Sequence, residues 1–291
     1  MVTSPVTMPL SLQYDFVSKI DGKAYRVQIA MPFAAAPPGG YPAIYVTDGY
    51  AYFATVAENV RLRSLGGRVT PAVVIGISYP EPSPVVALTR RFYDLTPTDA
   101  SASERADDRA TYGPGITYGG ADRFVDVIQR EIKPRLASFM RLNSKKATLV
   151  GHSLGGLFVL RTLFRHPDYF ASYVALSPSI WWEDRVVLRD EAAFEQRVRS
   201  GAARPVIFLS VDGLEQTMTQ TRVPPGYTRA KLAAEMKRVA MVDNAVALGG
   251  RLSAVIGKSP YHVTFHEYAG REHVDAMWAA VDDFVDTVLP L

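Results

Sequence analysis

No cysteine occurs among the 291 residues. Disulfides, thiolate metal sites and a cysteine nucleophile are therefore excluded. No apolar run approaches the roughly 18 residues that a membrane-crossing helix needs. The basic residues are dispersed, and the net charge is only +3. That balance disfavours nucleic acid as a partner and gives at most a weak field for an anionic substrate. The N-terminal stretch MVTSPVTMPLSLQYDF has no basic segment followed by a long apolar one, so no secretory leader is expected and the cytoplasm is the expected location. Metal-ligand spacing is also missing. The pair in HVTFH (262–266) falls on an expected strand, where residues i and i+4 lie too far apart to share one ion.

What is present is an ordinary globular composition, with 48% hydrophobic and 21% charged residues. Apolar, β-branched runs at 41–49, 71–80, 147–150, 173–178, 205–211 and 262–269 alternate with helical patterns at 51–65, 121–140, 154–165, 229–248 and 273–289. KAYRVQIAMP (23–32) reads as an earlier strand. Residues 80–98 read as a proline-rich loop and 99–120 as an exposed polar loop. In the helix at 121–140, Phe124, Ile128, Ile132 and Leu136 share the core face, and Pro134 is expected to kink it. The alternation predicts a single α/β domain, residues 1–291, with a mostly parallel sheet and helices on both faces. The long segment 213–260 is expected to hold a helical cap insertion.

ATLVGHSLGGLFVL (147–160) carries G-x-S-x-G between a strand and a helix, the pattern of a nucleophile elbow. Ser153 is then the nucleophile, and the Leu154 N–H faces the carbonyl oxygen under attack, helped by the helix N-terminus. Serine needs a base. Of the five histidines, His273 follows the last strand at the sheet edge that carries the elbow. His152 sits inside the elbow and reads as a packing residue, His166 as a helix C-terminal one, and His262 and His266 as strand residues. The acid precedes the histidine in chain order. SVDGLEQ offers Asp212 and Glu215; Glu215 has the greater reach, and Asp212 is the alternate. The turn DGYAYF after the strand at 41–49 supplies a second oxyanion donor, the N–H of Gly49 or of Tyr50.

Four segments carry a resemblance: YPAIYVTDGYAYF, RRFYDLTP, the stretch from GHSLGG to SPSIWW, and REHVDAMW. Together they resemble the putative-esterase family of α/β-hydrolases, the group that includes enterochelin (ferric-siderophore) esterases. The resemblance spans residues 14–289. It implies an α/β-hydrolase fold with Ser153 as nucleophile, His273 as base, and Gly49 and Leu154 as oxyanion donors. The acid matches less closely, because DGLE stands where a G-E-L-E-like segment is expected; Glu215 fits its second acidic position. Substrate contacts are expected from Tyr50, Arg91, Trp181 and Trp182, although Arg91 could instead brace its loop through Asp94 and the tryptophans could be packing elements. The implied activity is serine carboxylic-ester hydrolysis through an acyl-enzyme, on ferric-siderophore trilactones or on short-chain or aryl esters. Neither metal nor cofactor is required. An acyltransferase with the same triad, and a non-catalytic binding module on the same fold, are the competing readings.

Overall fold

The computed structural model describes residues 3–4, 6–81, 84–219, 223 and 228–291. Its frame is one eight-stranded sheet in the order β1-β2-β4-β3-β5-β6-β7-β8. The strands are β1 (Ser11–Val17), β2 (Ala24–Ala30), β3 (Tyr41–Val46), β4 (Val73–Ser78), β5 (Leu142–His152), β6 (Ser172–Leu176), β7 (Val206–Asp212) and β8 (His262–Tyr268). β2 pairs antiparallel with both β1 and β4; every pair from β4 through to β8 is parallel. β4 and β6 are buried along their whole length. This is why they read as continuous apolar runs: a parallel strand covered on both faces has no polar side. The expected α/β-hydrolase architecture is the one observed.

Two apolar layers sandwich the sheet. On one face lie α1 (Gly49–Leu65), burying Phe53, Val56 and Val60 chiefly against β4, and the C-terminal α11 (Ala276–Val288), burying Met277 and Phe284 chiefly against β6 and β7. The other face takes α4 (Ala121–Val127) and α5 (Lys133–Ala137), α6 (Leu154–Arg165), α8 (Glu191–Ser200) and α10 (Met241–Ser253). The remaining helices are α2 (Pro84–Leu95), α3 (Ala102–Tyr112), the short α7 (Trp182–Arg185) and α9 (Arg229–Val239).

Several expectations change. The loop expected at 80–98 contains α2, and the loop expected at 99–120 contains α3. α3 begins with Ser101, whose hydroxyl accepts the Glu104 N–H at 3.4 Å. β1 was not anticipated, although Leu12, Tyr14 and Phe16 alternate with polar residues. The helix expected at 121–140 is interrupted: Ile128–Ile132 forms a π-turn between α4 and α5, just ahead of Pro134. Proline cannot supply the N–H that the Arg130 carbonyl would otherwise take, so the ladder widens there. The helix expected at 229–248 is two helices, broken at Ala240, which lies at φ 44°. Of the expected cap segment, α9 alone stands off the sheet. α10 packs on β7 and β8 as part of the frame, and residues 220–222 and 224–227 lie outside the described residues.

Candidate active site

The chain leaves β3 toward β4 on one side and reaches β5 on the other. A crevice at the carboxyl ends of β3 and β5 follows from that switch in direction. β5 ends at His152, and α6 starts at Leu154, leaving Ser153 alone on the corner at φ 61°, ψ −120°. So sharp a reversal brings strand and helix almost into contact. A Cβ on Gly151 would lie 2.3 Å from the Gly155 carbonyl oxygen, and a Cβ on Gly155 2.5 Å from Thr47 Oγ1. The backbone of the corner is tied on both sides. Its N–H donates to the Leu176 carbonyl, and its own carbonyl accepts from Leu157 and Ser179, all at 3.0 Å. The Ser153 hydroxyl lies 3.5 Å from Ser179 Oγ.

His273 opens a short 3₁₀ turn (His273–Asp275) between β8 and α11. A reciprocal capping box between Glu272 and Asp275 holds that turn. The ring Nδ1 lies 2.9 Å from Glu215 Oε2. Glu215 Oε1 accepts the Asp212 N–H at 3.0 Å and the Ser177 hydroxyl. Of the two acids, Glu215 is therefore the one that grips the histidine. Asp212 reaches the same place with its backbone only. Its side chain is 0% exposed, and neither carboxylate oxygen has a hydrogen-bond partner among the described residues. Burial, reinforced by the Glu215 charge, pushes its carboxyl up to about 7. His273 and Ser153 line one cavity but form no hydrogen bond to each other in this conformation. Such contacts commonly tighten only when substrate is bound.

His152 has the packing role expected of it. Its ring lies 4.5 Å from that of His273, and its Nδ1 shares a 2.8 Å hydrogen bond with the Tyr52 hydroxyl. Burial, then the nearby His273 and Arg91, hold its pKa well below the usual imidazole value, so the ring is neutral beside the base. His262 and His266 stay on β8 and His166 ends α6, all outside the cavity.

On the β3 side, Asp48 lies at φ 52° and Gly49 begins α1. A Cβ on Gly49 would come within 2.8 Å of Gln28 Oε1 and 2.9 Å of the Gly76 carbonyl carbon, so only glycine fits. No acceptor among the described residues takes the N–H of Gly49, Tyr50 or Leu154. Arg91 corrects an expectation. It does not pair with Asp94 and does not line the cavity. It grips Asp48 through Nε and Nη2, each at 2.9 Å, and its side chain is 12% exposed. Arg90 pairs with Asp94 instead, at 3.4 Å. On helix α2, the neighbours Arg90 and Arg91 point different ways, and Arg91 is the one turned toward the turn after β3.

The cavity beside Ser153 has a volume of about 370 Å³. Trp181 lines it as expected. Trp182 does not: it is fully buried, donates from Nε1 to Thr98 Oγ1 at 3.2 Å and packs on Tyr118. Tyr50 is partly exposed and lies off the cavity wall. The sequence reading missed the roof, where Leu232, Met236 and Val239 of α9 face the cavity. α9 buries no residue fully. It reaches α3 through Arg238–Glu104 at 3.4 Å and Lys231–Asp107 at 3.9 Å. The signal was available in the apolar spacing of Leu232, Met236 and Val239, one face of a helix that is otherwise charged. Among the described residues, no helix is long and apolar enough to cross a membrane.

Residues 18–203 match the family model described as "Putative esterase". The chain belongs to this esterase family. A similar relative is the ferri-bacillibactin esterase BesA of Bacillus subtilis, 30% identical over 263 residues, covering 89% of this chain and 83% of the relative. Another is the siderophore triacetylfusarinine C esterase of Aspergillus fumigatus, 31% identical, with 96% and 92% covered. Among solved structures, the BES protein from Bacillus cereus superposes with a TM-score of 0.83 at 29% identity and full coverage of both chains. The siderophore hydrolase EstA from Aspergillus nidulans gives a TM-score of 0.81 at 28% identity, with 98% and 97% covered.

Proposed function

We propose that this member of the esterase family is a serine carboxylic-ester hydrolase acting on siderophore esters. The observation that carries the reading is the 2.9 Å contact between His273 Nδ1 and Glu215, on the wall of the cavity that also holds the Ser153 corner. An imidazole held through Nδ1 turns Nε2 to the other side of the ring, free to act as a base. Ser153 Oγ attacks the ester carbonyl carbon, and His273 Nε2 takes the hydroxyl proton. The Leu154 N–H, with that of Gly49 or Tyr50, stabilises the oxyanion. The C–O bond to the leaving alcohol breaks, and the alcohol leaves with the proton from His273. Water then gives a proton to the same base and attacks the acyl carbon, the bond to Ser153 Oγ breaks, His273 returns the proton to that oxygen, and the acid departs. Glu215 stabilises the imidazolium at each stage. The siderophore substrate class is supported by the names of the two relatives above, which are covered over 83% and 92% of their length.

The test is hydrolysis of p-nitrophenyl butyrate and of a ferric-siderophore lactone by the wild type, Ser153→Ala and His273→Ala. Both variants should lose about 10³-fold or more in kcat/KM. A Ser153→Ala protein that keeps its rate within tenfold would refute the acyl-enzyme. Turnover of the simple ester with none of the lactone would refute the siderophore assignment.

A further inference from the structure

Two corners flank the crevice at the carboxyl ends of β3 and β5, and one side chain ties them together. Asp48, at φ 52°, precedes Gly49 and α1; Ser153, at φ 61°, precedes Leu154 and α6. The amides proposed to hold the oxyanion are thus the first N–H groups of these two helices. The corners lie close. The Thr47 N–H donates to the Val150 carbonyl at 3.0 Å, and a Cβ on Gly155 would meet Thr47 Oγ1 at 2.5 Å and Asp48 Oδ2 at 3.3 Å. Arg91 reaches them from α2, outside the cavity wall. Its Nε and Nη2 donate to the two Asp48 oxygens, each at 2.9 Å, and Nη2 also donates to the carbonyl of His152, the residue ahead of Ser153, at 3.4 Å.

Resting on the ester-hydrolase reading above, we infer that Arg91 is a positioning residue for the oxyanion site: its fork sets the spacing between the turn after β3 and the elbow, and with it the aim of the donor amides. An oxyanion gains from two amides only where both lie about 3 Å from the position it will occupy. These amides follow different strands, so one turn has to be held against the other. A corner at positive φ persists only while its surroundings over-determine it. The bidentate grip on Asp48 fixes the plane of that carboxylate, and the bond to the His152 carbonyl fixes the grip relative to the elbow. Arg91 acts through these two turns and touches no substrate. Lysine would bring the same charge as a single point with rotatable donors, so it keeps the field and loses the geometry.

The experiment compares p-nitrophenyl butyrate with its thionoester, in which sulfur replaces the carbonyl oxygen. Sulfur accepts hydrogen bonds weakly, so the thionoester draws little from the two amides. Arg91→Lys should lower kcat/KM on the oxygen ester by about 10²-fold, the scale of a group misplaced by about 1 Å, through kcat and with little change in KM. The loss on the thionoester should be smaller, so the oxygen-to-sulfur ratio of kcat/KM should fall by about fivefold or more. A smaller fall in a lysine variant shown by circular dichroism to be folded overturns the inference, because general damage to the elbow slows both esters alike. If that variant does not fold, Asp48→Asn, which keeps the guanidinium and weakens its anchor, decides by the same threshold. Failure of both to fold also overturns the inference, since the pair would then serve the fold and not the site. Should the thionoester turn over too slowly to measure, the cycle of Arg91→Lys with Gly49→Ala on the oxygen ester decides: losses that overlap support the inference, and additive losses overturn it. Ser153→Ala separates the two readings: if it hydrolyses the oxygen ester at the wild-type rate, the ester-hydrolase reading fails, whatever the Arg91 variants do.

Discussion

Replacing Asp212 by asparagine should stabilise the protein in alkaline solution and leave the chemistry almost intact. The side chain is fully buried beside Glu215, with no hydrogen-bond partner for either oxygen among the described residues. Its carboxyl is pushed from 3.8 up to about 7, first by burial and then by the Glu215 charge. The folded protein therefore holds this proton more tightly than the unfolded chain does. Stability must fall as pH rises from about 4 to about 7, where the unfolded chain has lost the proton and the folded one gives it up only at a cost. A shift of about three units corresponds to roughly 4 kcal/mol in full, of which about 2–3 kcal/mol develops between pH 5 and pH 8. The asparagine side chain does not titrate, so this loss disappears. Against it stand two new N–H donors in a place that offers few acceptors, about 1–3 kcal/mol. The variant should be equal to or less stable than the wild type at pH 5 and more stable at pH 8. Urea titrations at each pH measure the difference. Two stability curves that stay parallel within about 0.5 kcal/mol from pH 5 to pH 8 would show that Asp212 is ionised throughout, and that the unpartnered neutral acid is wrong. Ester hydrolysis at pH 7 should stay within a few-fold of wild type, because the Asp212 contact to Glu215 runs through its backbone N–H.

Glu215→Gln should lower kcat by about 10²–10⁴-fold with little change in KM, since it removes the charge that steadies the imidazolium but touches no substrate; steady-state kinetics on p-nitrophenyl butyrate would reveal an equal loss in Asp212→Asn if the acids had been assigned the wrong way round. Gly49→Ala forces a Cβ to within 2.8 Å of Gln28 Oε1 and 2.9 Å of the Gly76 backbone. The turn must shift, and kcat should drop at least tenfold alongside a lower Tm; an unchanged kcat would remove this turn from the oxyanion site. Arg91→Met leaves the buried Asp48 carboxylate without its two 2.9 Å contacts and should cost about 3–5 kcal/mol in chemical denaturation. Adding Asp48→Asn should recover a large part of that, whereas additive losses would mean the pair is not coupled.

Much of this site could be read from the chain because its chemistry sits where regular elements end. The G-x-S-x-G corner needs a buried strand before it and a helix after it, and both are visible in the apolar pattern of 147–165. His273 was singled out by its place after the last strand, and it lines the cavity beside Ser153. The choice between Asp212 and Glu215 turned on something spacing does not encode: Asp212, the last residue of β7, aims its amide rather than its carboxylate at the site, and Glu215 folds back to receive it. Arg91 and Trp182 were misread for a related reason. Each sits beside a residue of the same type that points the other way, so a doublet in sequence became one partner for each of two environments. The helix α3 was missed although its start carries Ser-x-x-Glu, because the polar composition of 99–120 outweighed the capping signal. β1 has a clear period of two but lies at the sheet edge, with half its residues in water, so it lacks the apolar density that marked the inner strands.

The carboxyl edge of the sheet also concentrates backbone strain. Asp48 after β3, Ser153 after β5 and Ser177 after β6 all have positive φ, at 52°, 61° and 39°, and none is glycine. Conformations of this kind cost about 1–3 kcal/mol each, so the three together are comparable with the whole net stability of an ordinary domain. They persist because each is held by contacts that a relaxed backbone would lose. Arg91 grips the Asp48 carboxylate. The Ser153 N–H and carbonyl are bonded to β6 and to the segment after it. The Ser177 N–H donates to the Ser210 carbonyl at 2.8 Å, and its hydroxyl donates to Glu215. Asp48 is the anchor for Arg91, Ser153 is the proposed nucleophile, and Ser177 completes the shell of the carboxylate that holds His273. Glycine would relieve the strain at all three corners and leave the sheet without the groups that make its edge a candidate for catalysis.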